Sequence, residues 1–139
     1  MPYLLDSDWV VDHLADVPEA RQLLDKLSLE GIAVSIVTYL ETYEGVERSP
    51  NRAEAESKFQ SFMREVPVLP VSPGIARRCA QLRHTLRKQG KRVERRALDL
   101  IIAATALEHN LSLVTRNVED YEDVPGLKIY PSGEAAGKS

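Results

Sequence analysis

Carboxylates are the side chains in this sequence best placed to do chemistry, and three of them matter most: Asp6, Glu41 and Asp99. The stretch YLLDSDWVVDHL (residues 3–14) runs a short apolar segment into Asp6 and Asp8, then resumes a helix-like apolar pattern. An acid at such a junction can cap the following helix, or it can hold a metal ion where strand meets helix. Asp8 fits a first helical turn, where negative charge is favoured. Glu41 alone says little, because most helical glutamates are solvated. Asp99 is different. It interrupts ALDLIIAATAL, where residues 97, 98, 100–104, 106 and 107 are all apolar. An ionised carboxylate in such surroundings costs roughly several kcal/mol unless it is paired or bound to a metal. Its non-catalytic reading is a pair with Arg95 or Arg96, or an acid in a first helical turn. Acids brought together stay ionised together only around positive charge. Hard oxygen ligands of this kind select Mg²⁺ or Mn²⁺. Zinc is disfavoured, because Cys79 is the single cysteine and His13, His84 and His109 show no ligand spacing. A cup of carboxylates around a hard dication activates water and neutralises charge during phosphoryl transfer.

Whether the acids meet depends on the elements that carry them. Residues 3–5 read as a strand and residues 7–14 as a helix with Trp9, Val10, His13 and Leu14 along one face. Pro18 opens a second helix that Gly31 stops. IAVSIV (32–37) reads as a strand, followed by helices over 38–48 and about 51–65. VPVLPV (66–71) carries two prolines, which places it at a sheet edge. Ser72-Pro73 opens a helix running to Gly90, and residues 94–110 form the most apolar helix. LSLV (111–114) and LKIY (127–130) read as strands, with a loop and a short helical turn at 115–121 between them. Strands alternating with helices predict an α/β fold: one domain, residues 1–131, with a mostly parallel sheet between two helical layers. In such sheets the ligand sits beyond the carboxyl ends of the strands, where strand order reverses. Asp6, Glu41 and Thr115-Arg116-Asn117 all fall at that edge. The small, polar tail at 132–139 reads as disordered.

The 139 residues are 43% hydrophobic and 28% charged, with a formal net charge of −3, as expected of a soluble domain. A lone cysteine, no signal peptide and no membrane-length apolar run point to the cytoplasm. The charge is unevenly spread. Nine of the 18 Lys and Arg residues fall at 77, 78, 83, 87, 88, 91, 92, 95 and 96, with Glu94 the sole acid among them. On the 73–89 helix, Ile75, Cys79, Leu82 and Leu86 form the buried stripe, so Arg77, Arg83 and Arg87 face solvent. A charge run is commonly just a solvated face. It is also the electrostatic footprint of nucleic acid, and it suits an acidic protein segment equally well.

Four segments, in order and across nearly the whole chain, resemble the PIN-domain nucleases, and within them the VapC-like toxins of toxin–antitoxin pairs. They are YLLDSDWVVDHL, SIVTYLETYEGVERS, RRALDLIIAATALEHNLSLVTRNVEDY and LKIYP, the third being the most specific. The resemblance implies a three-layer fold and an endoribonuclease that leaves a 3′-hydroxyl and a 5′-phosphate. It implies Asp6 and Asp99 as the principal Mg²⁺ ligands and Glu41 as the residue that orients or deprotonates the attacking water. Thr115 and Asn117 form the fourth corner of that site. Asn117 stands where many family members have an acid, and Asp120 is near enough to compensate. The resemblance further implies a homodimer and a cognate VapB-like antitoxin whose C-terminal segment fills the groove. Arg77, Arg83, Arg87, Lys91 and Arg92 would then hold RNA phosphates or antitoxin carboxylates.

Rival readings fit less well. A receiver-like signalling domain needs a phospho-accepting Asp after a middle strand, which VPVLPVSPG lacks, and a Lys ending the last strand, whereas Lys128 lies inside it. A DNA nuclease that threads its substrate needs an arch-forming insertion absent from this chain. A catalytically silent PIN-like binding module keeps the fold without turnover; the presence of all three core acids argues against it.

Overall fold

A computed structural model describes residues 2–130. The elements in order are β1 (Tyr3–Leu5), α1 (Ser7–Leu14), α2 (Pro18–Ser28), β2 (Ile32–Ser35), α3 (Ile36–Arg48), α4 (Arg52–Glu65) and β3 (Val68–Leu69). Then follow α5 (Pro73–Lys88), a 3₁₀ turn (Glu94–Arg96), α6 (Ala97–His109), β4 (Ser112–Val114), a second 3₁₀ turn (Val118–Asp120) and β5 (Lys128–Ile129). The predicted tail at 132–139 lies outside the described residues.

The strands form one sheet in the order β3-β2-β1-β4-β5, and every pairing is parallel. Strand β3, flanked by Pro67 and Pro70, is at an edge, as expected of a segment with those missing N–H groups. The period-2 alternation of strand side chains divides the core in two. Leu4, Ala33 and Leu113 point into a cluster with α5 and α6 that includes Ile75, Leu86 and Leu100. Leu5, Val34 and Val114 point the other way, onto Trp9, Val10, Leu24 and Leu27 of α1 and α2. Both faces are therefore covered, giving the three expected layers. The stripe Ile75, Cys79, Leu82 and Leu86 is the buried face of α5.

The strands at 66–71, 111–114 and 127–130 are shorter than expected, and two further boundary differences bear on the acids. The second strand stops at Ser35 instead of residue 37, because the Ser35 hydroxyl accepts the Thr38 N–H at 3.1 Å and starts α3 early. The apolar helix begins at Ala97, and residues 94–96 form a tighter turn before it. Asp99 consequently sits in the first turn of α6. Among the described residues no helix is long and apolar enough to cross a membrane.

Candidate active site

Strand order reverses beside β1: the chain moves outward through β2 and β3, then returns to place β4 on β1's other side. The carboxyl ends of β1 and β4 flank the crevice that such a reversal opens. Asp6 leaves β1 there, and Thr115 leaves β4. Register puts Leu5 opposite Val114, so the two following residues are neighbours. The Thr115 hydroxyl donates to Asp6 Oδ2 at 2.7 Å, and the Ser7 N–H donates to Oδ1 at 2.9 Å. Asp6 does therefore cap α1, but its second oxygen is turned towards the crevice partner instead of a further helix N–H.

Glu41 reaches the same place from α3. The buried Thr38 hydroxyl donates to the Leu5 carbonyl at 3.3 Å and holds the start of α3 against the end of β1. One turn later Glu41 accepts the Ser7 hydroxyl on Oε1 at 2.8 Å. Asp99 arrives from α6, where Tyr121 Oη donates to its Oδ1 at 3.2 Å. The fourth corner is tied in as well. The Asn117 N–H donates to Thr115 Oγ1 at 3.0 Å, and its side-chain amide donates to Asp8 Oδ2 at 3.2 Å. Asp120 is close enough to push up the Asp99 carboxyl.

The acids feel one another. Burial pushes the Asp6 carboxyl up to about 6; Thr115 and the Ser7 N–H oppose the rise, and Asp8 and Asp99 add to it. Glu41 is raised by burial and then by Asp99, Glu44 and Asp8, against the Ser7 hydrogen bond. Asp99 is raised by burial and by Asp120 and Asp8, against Tyr121 and Arg96. Among the described residues no Lys, Arg or His pairs with Asp6, Asp8, Glu41, Asp99 or Asp120. Arg96, the partner that a purely structural Asp99 would use, is taken elsewhere. Its guanidinium binds both oxygens of Asp123, at 3.0 and 2.7 Å, and the Asp120 carbonyl at 2.9 Å.

This donor set fits a hard divalent cation. Its oxygens are desolvated, mutually repelling and uncompensated, which is a state that a dication relieves. Among the described residues no three His, Cys, Asp or Glu side chains converge tightly enough to enclose an ion by themselves. Mg²⁺ is a hard cation of this class, which keeps much of its water and takes one or two carboxylates.

One family model spans residues 3–127, and it describes the PIN domain. The chain belongs to the PIN-domain family. A Rickettsia felis protein named ribonuclease VapC2 is 28% identical over 131 residues, covering 91% of this PIN chain and 95% of the relative. A Shigella flexneri protein named tRNA(fMet)-specific endonuclease VapC is 26% identical over 128 residues, covering 92% and 96%. A solved toxin-antitoxin complex from Klebsiella pneumoniae contains a chain with TM-score 0.71 and 27% identity, covering 90% of this chain and 94% of that one.

Three side chains of this PIN domain's site were not singled out from sequence. Asp8 read as an ordinary first-turn acid, yet it repels all three core carboxylates. Arg116 stacks over the Trp9 ring, 3.8 Å from its centroid, and pairs with Asp12. With Ser7, Asp8, Glu41 and Arg48 it lines a groove of about 370 Å³ beside the acids. Tyr121 is 1% exposed and has the look of a plain core aromatic. The TRN triplet marked Arg116 by position; nothing marked the tyrosine.

The five basic candidates have different surroundings. Arg77 and Arg92 are exposed. Arg83 lies half-buried against the Ala97 carbonyl at 3.4 Å, and Arg87 sits 3.7 Å from Glu94. Lys91 is paired with Asp123 at 3.1 Å.

Proposed function

We propose that this PIN domain is a divalent-metal-dependent endoribonuclease, the toxin of a toxin–antitoxin pair, acting in the cytoplasm. The observation that carries this reading is the meeting of Asp6, Glu41 and Asp99 at the reversal crevice with, among the described residues, no ion pair to any of the three. The VapC names of its relatives and the toxin-antitoxin complex that its fold matches support the same assignment.

Asp6 and Asp99 would hold Mg²⁺, with Mn²⁺ able to substitute. When bound, the ion supplies water activation and stabilises charge on the phosphate oxygens. The protein's own groups do the rest. Ser7 fixes Oε1 of Glu41, leaving Oε2 to take the proton from the attacking water. Burial and neighbouring acids raise the Glu41 carboxyl, and a base gains from being shifted towards the working pH. Attack on phosphorus breaks the bond to the 3′ oxygen, which takes a proton from solvent and leaves as the 3′-hydroxyl, and the new oxygen stays on the 5′-phosphate. Thr115 keeps Asp6 oriented, while Asn117 and Asp120 border the place for the scissile phosphate or the ion's water shell.

Arg77, Arg83, Arg87, Lys91 and Arg92 would bind RNA phosphates or the antitoxin's acidic groups. A homodimer is part of the same proposal. The exposed apolar side chains Ile36 and Leu40 on α3 and Leu98 on α6 are the surface it would cover. The experiment is cleavage of total RNA by purified, antitoxin-free protein in Mg²⁺ against EDTA, with wild type beside Asp99→Asn. Metal-dependent fragments with 5′-phosphate ends, absent from the variant, are expected. Tight RNA binding without cleavage would establish the silent binding module instead.

A further inference from the structure

We propose that Tyr121 is a positioning residue for Asp99, and that the segment after β4 thereby sets the spacing of the two metal-binding carboxylates. The inference rests on the metal-nuclease reading above and extends it to a residue outside the acid set.

Each core carboxylate has one hydroxyl of its own. Thr115 donates to Asp6, Ser7 to Glu41 and Tyr121 to Asp99. Two of these three hydroxyls belong to one segment, residues 115–127, and they grip the two carboxylates assigned to the ion. Thr115 is anchored where it leaves β4, and Tyr121 six residues on is anchored by burial of its ring in the core beneath α5 and α6. The backbone around that ring is held on both sides. Tyr121 N–H donates to the Val118 carbonyl at 3.0 Å, and Val124 N–H donates to the Tyr121 carbonyl at 3.0 Å. Arg96 fastens the same segment through the Asp120 carbonyl and the Asp123 carboxylate. The phenol oxygen cannot follow Asp99; Asp99 follows the phenol.

The direction of the bond is settled by the neighbours. Asp99 is the carboxylate within hydrogen-bond distance of the phenol, and an ionised carboxylate only accepts, so the proton points to Asp99. That bond engages Oδ1, so Oδ2 is the oxygen that would serve the ion. Asp99 needs such help more than the other two. It stands in the first turn of a helix whose N-cap residue, Arg96, makes no side-chain cap. Outer partners of this kind typically contribute about 10- to 100-fold to metal affinity or activity.

Tyr121→Phe removes one oxygen and keeps the ring. Calorimetric titration with Mn²⁺ is expected to show affinity weakened about 10-fold or more. RNA cleavage should show kcat reduced by a similar factor with KM for RNA unchanged. In an Asp99→Asn background the same substitution should add no further loss, because its effect passes through that carboxylate. A purely structural tyrosine would lower the melting temperature and leave Mn²⁺ affinity alone. Wild-type Mn²⁺ affinity and kcat in Tyr121→Phe would overturn the inference, as would losses that multiply with those of Asp99→Asn. If the wild-type protein itself binds no Mn²⁺, the metal-nuclease reading fails and this inference falls with it.

Discussion

Asp16 and Asp6 stand near opposite ends of α1, and the fold treats them in opposite ways. Asp16 lies on the surface just past the helix, with Lys58 at 2.9 Å and Arg21 at 2.8 Å. The hydrogen bond and charge of Lys58 hold its carboxyl below the ordinary range. Asp6, at the helix start, is buried among like charges and is pushed up. A cavity of about 710 Å³ belongs to the first region, between α2 and α4, and His13, Lys58 and Phe62 help to line it. The groove beside Asp6 is about half that size. Volume alone would direct attention to the wrong end of α1. Charge left without a partner directs it to the crevice, because the fold tolerates such charge only where a ligand or a reaction uses it.

The comparison makes its sharpest demand on activity. Asp6→Asn and Asp99→Asn should each reduce RNA cleavage on the order of a thousandfold, the loss of a metal-assisted step worth several kcal/mol. Asp16→Asn should leave kcat and KM unchanged. A comparable activity loss in Asp16→Asn would break the contrast.

The second demand concerns stability and pH. Folded Asp6, at about 6, binds its proton more tightly than the unfolded residue at its ordinary 3.8. The native state therefore holds more protons than the unfolded state between those values, and stability falls as pH rises through that window. Metal-free wild type should lose melting temperature from about pH 4 to about pH 6 and then level off on this account. Asp6→Asn should flatten that decline and melt higher than wild type at neutral pH without metal. A decline unchanged in the variant would assign it to other groups.

Much of this contrast was legible in the sequence, and the reason differs from residue to residue. Asp99 stood out because a carboxylate in ALDLIIAATAL violates the helix's apolar pattern. Asp6 and Thr115 followed from topology, since alternating strands and helices fix which strand ends share an edge. The second strand reads too long because IAVSIV is rich in β-branched residues, while the Ser35 cap that ends it is a side-chain geometry. Tyr121 was invisible for a related reason. Its hydroxyl matters only because an irregular segment returns to α6, and such segments carry no periodicity. The lack of a direct Arg96–Asp99 ion pair was equally hidden, because it depends on Asp123 capturing the guanidinium from 27 residues away.

That capture gives a middle-sized prediction. Asp123→Asn removes the charged partner of Arg96 and Lys91, and should cost roughly 1–3 kcal/mol in denaturant unfolding. It should also weaken Mn²⁺ binding, because Arg96 becomes available to Asp99 three residues along the chain. Arg96→Gln in the same background should restore the metal affinity. If the affinity is unchanged in Asp123→Asn, the pair is a fastening and no more.

The smallest expected effects lie on the basic face. Arg83→Ala and Arg87→Ala should each raise KM for RNA a few-fold and reduce the salt dependence of binding by about one counterion, with kcat preserved. An unchanged salt slope would mark them as a solvated face.

The central claim, that the crevice carboxylates are uncompensated until a divalent ion binds, is tested most directly by thermal melting at pH 7.5 in EDTA and in rising Mg²⁺. Wild type should melt at increasing temperature as Mg²⁺ rises, since an ion that binds only the native state stabilises it. Asp6→Asn and Asp99→Asn should melt independently of Mg²⁺. Equal Mg²⁺ responses in wild type and both variants, or no response in wild type, would contradict the account.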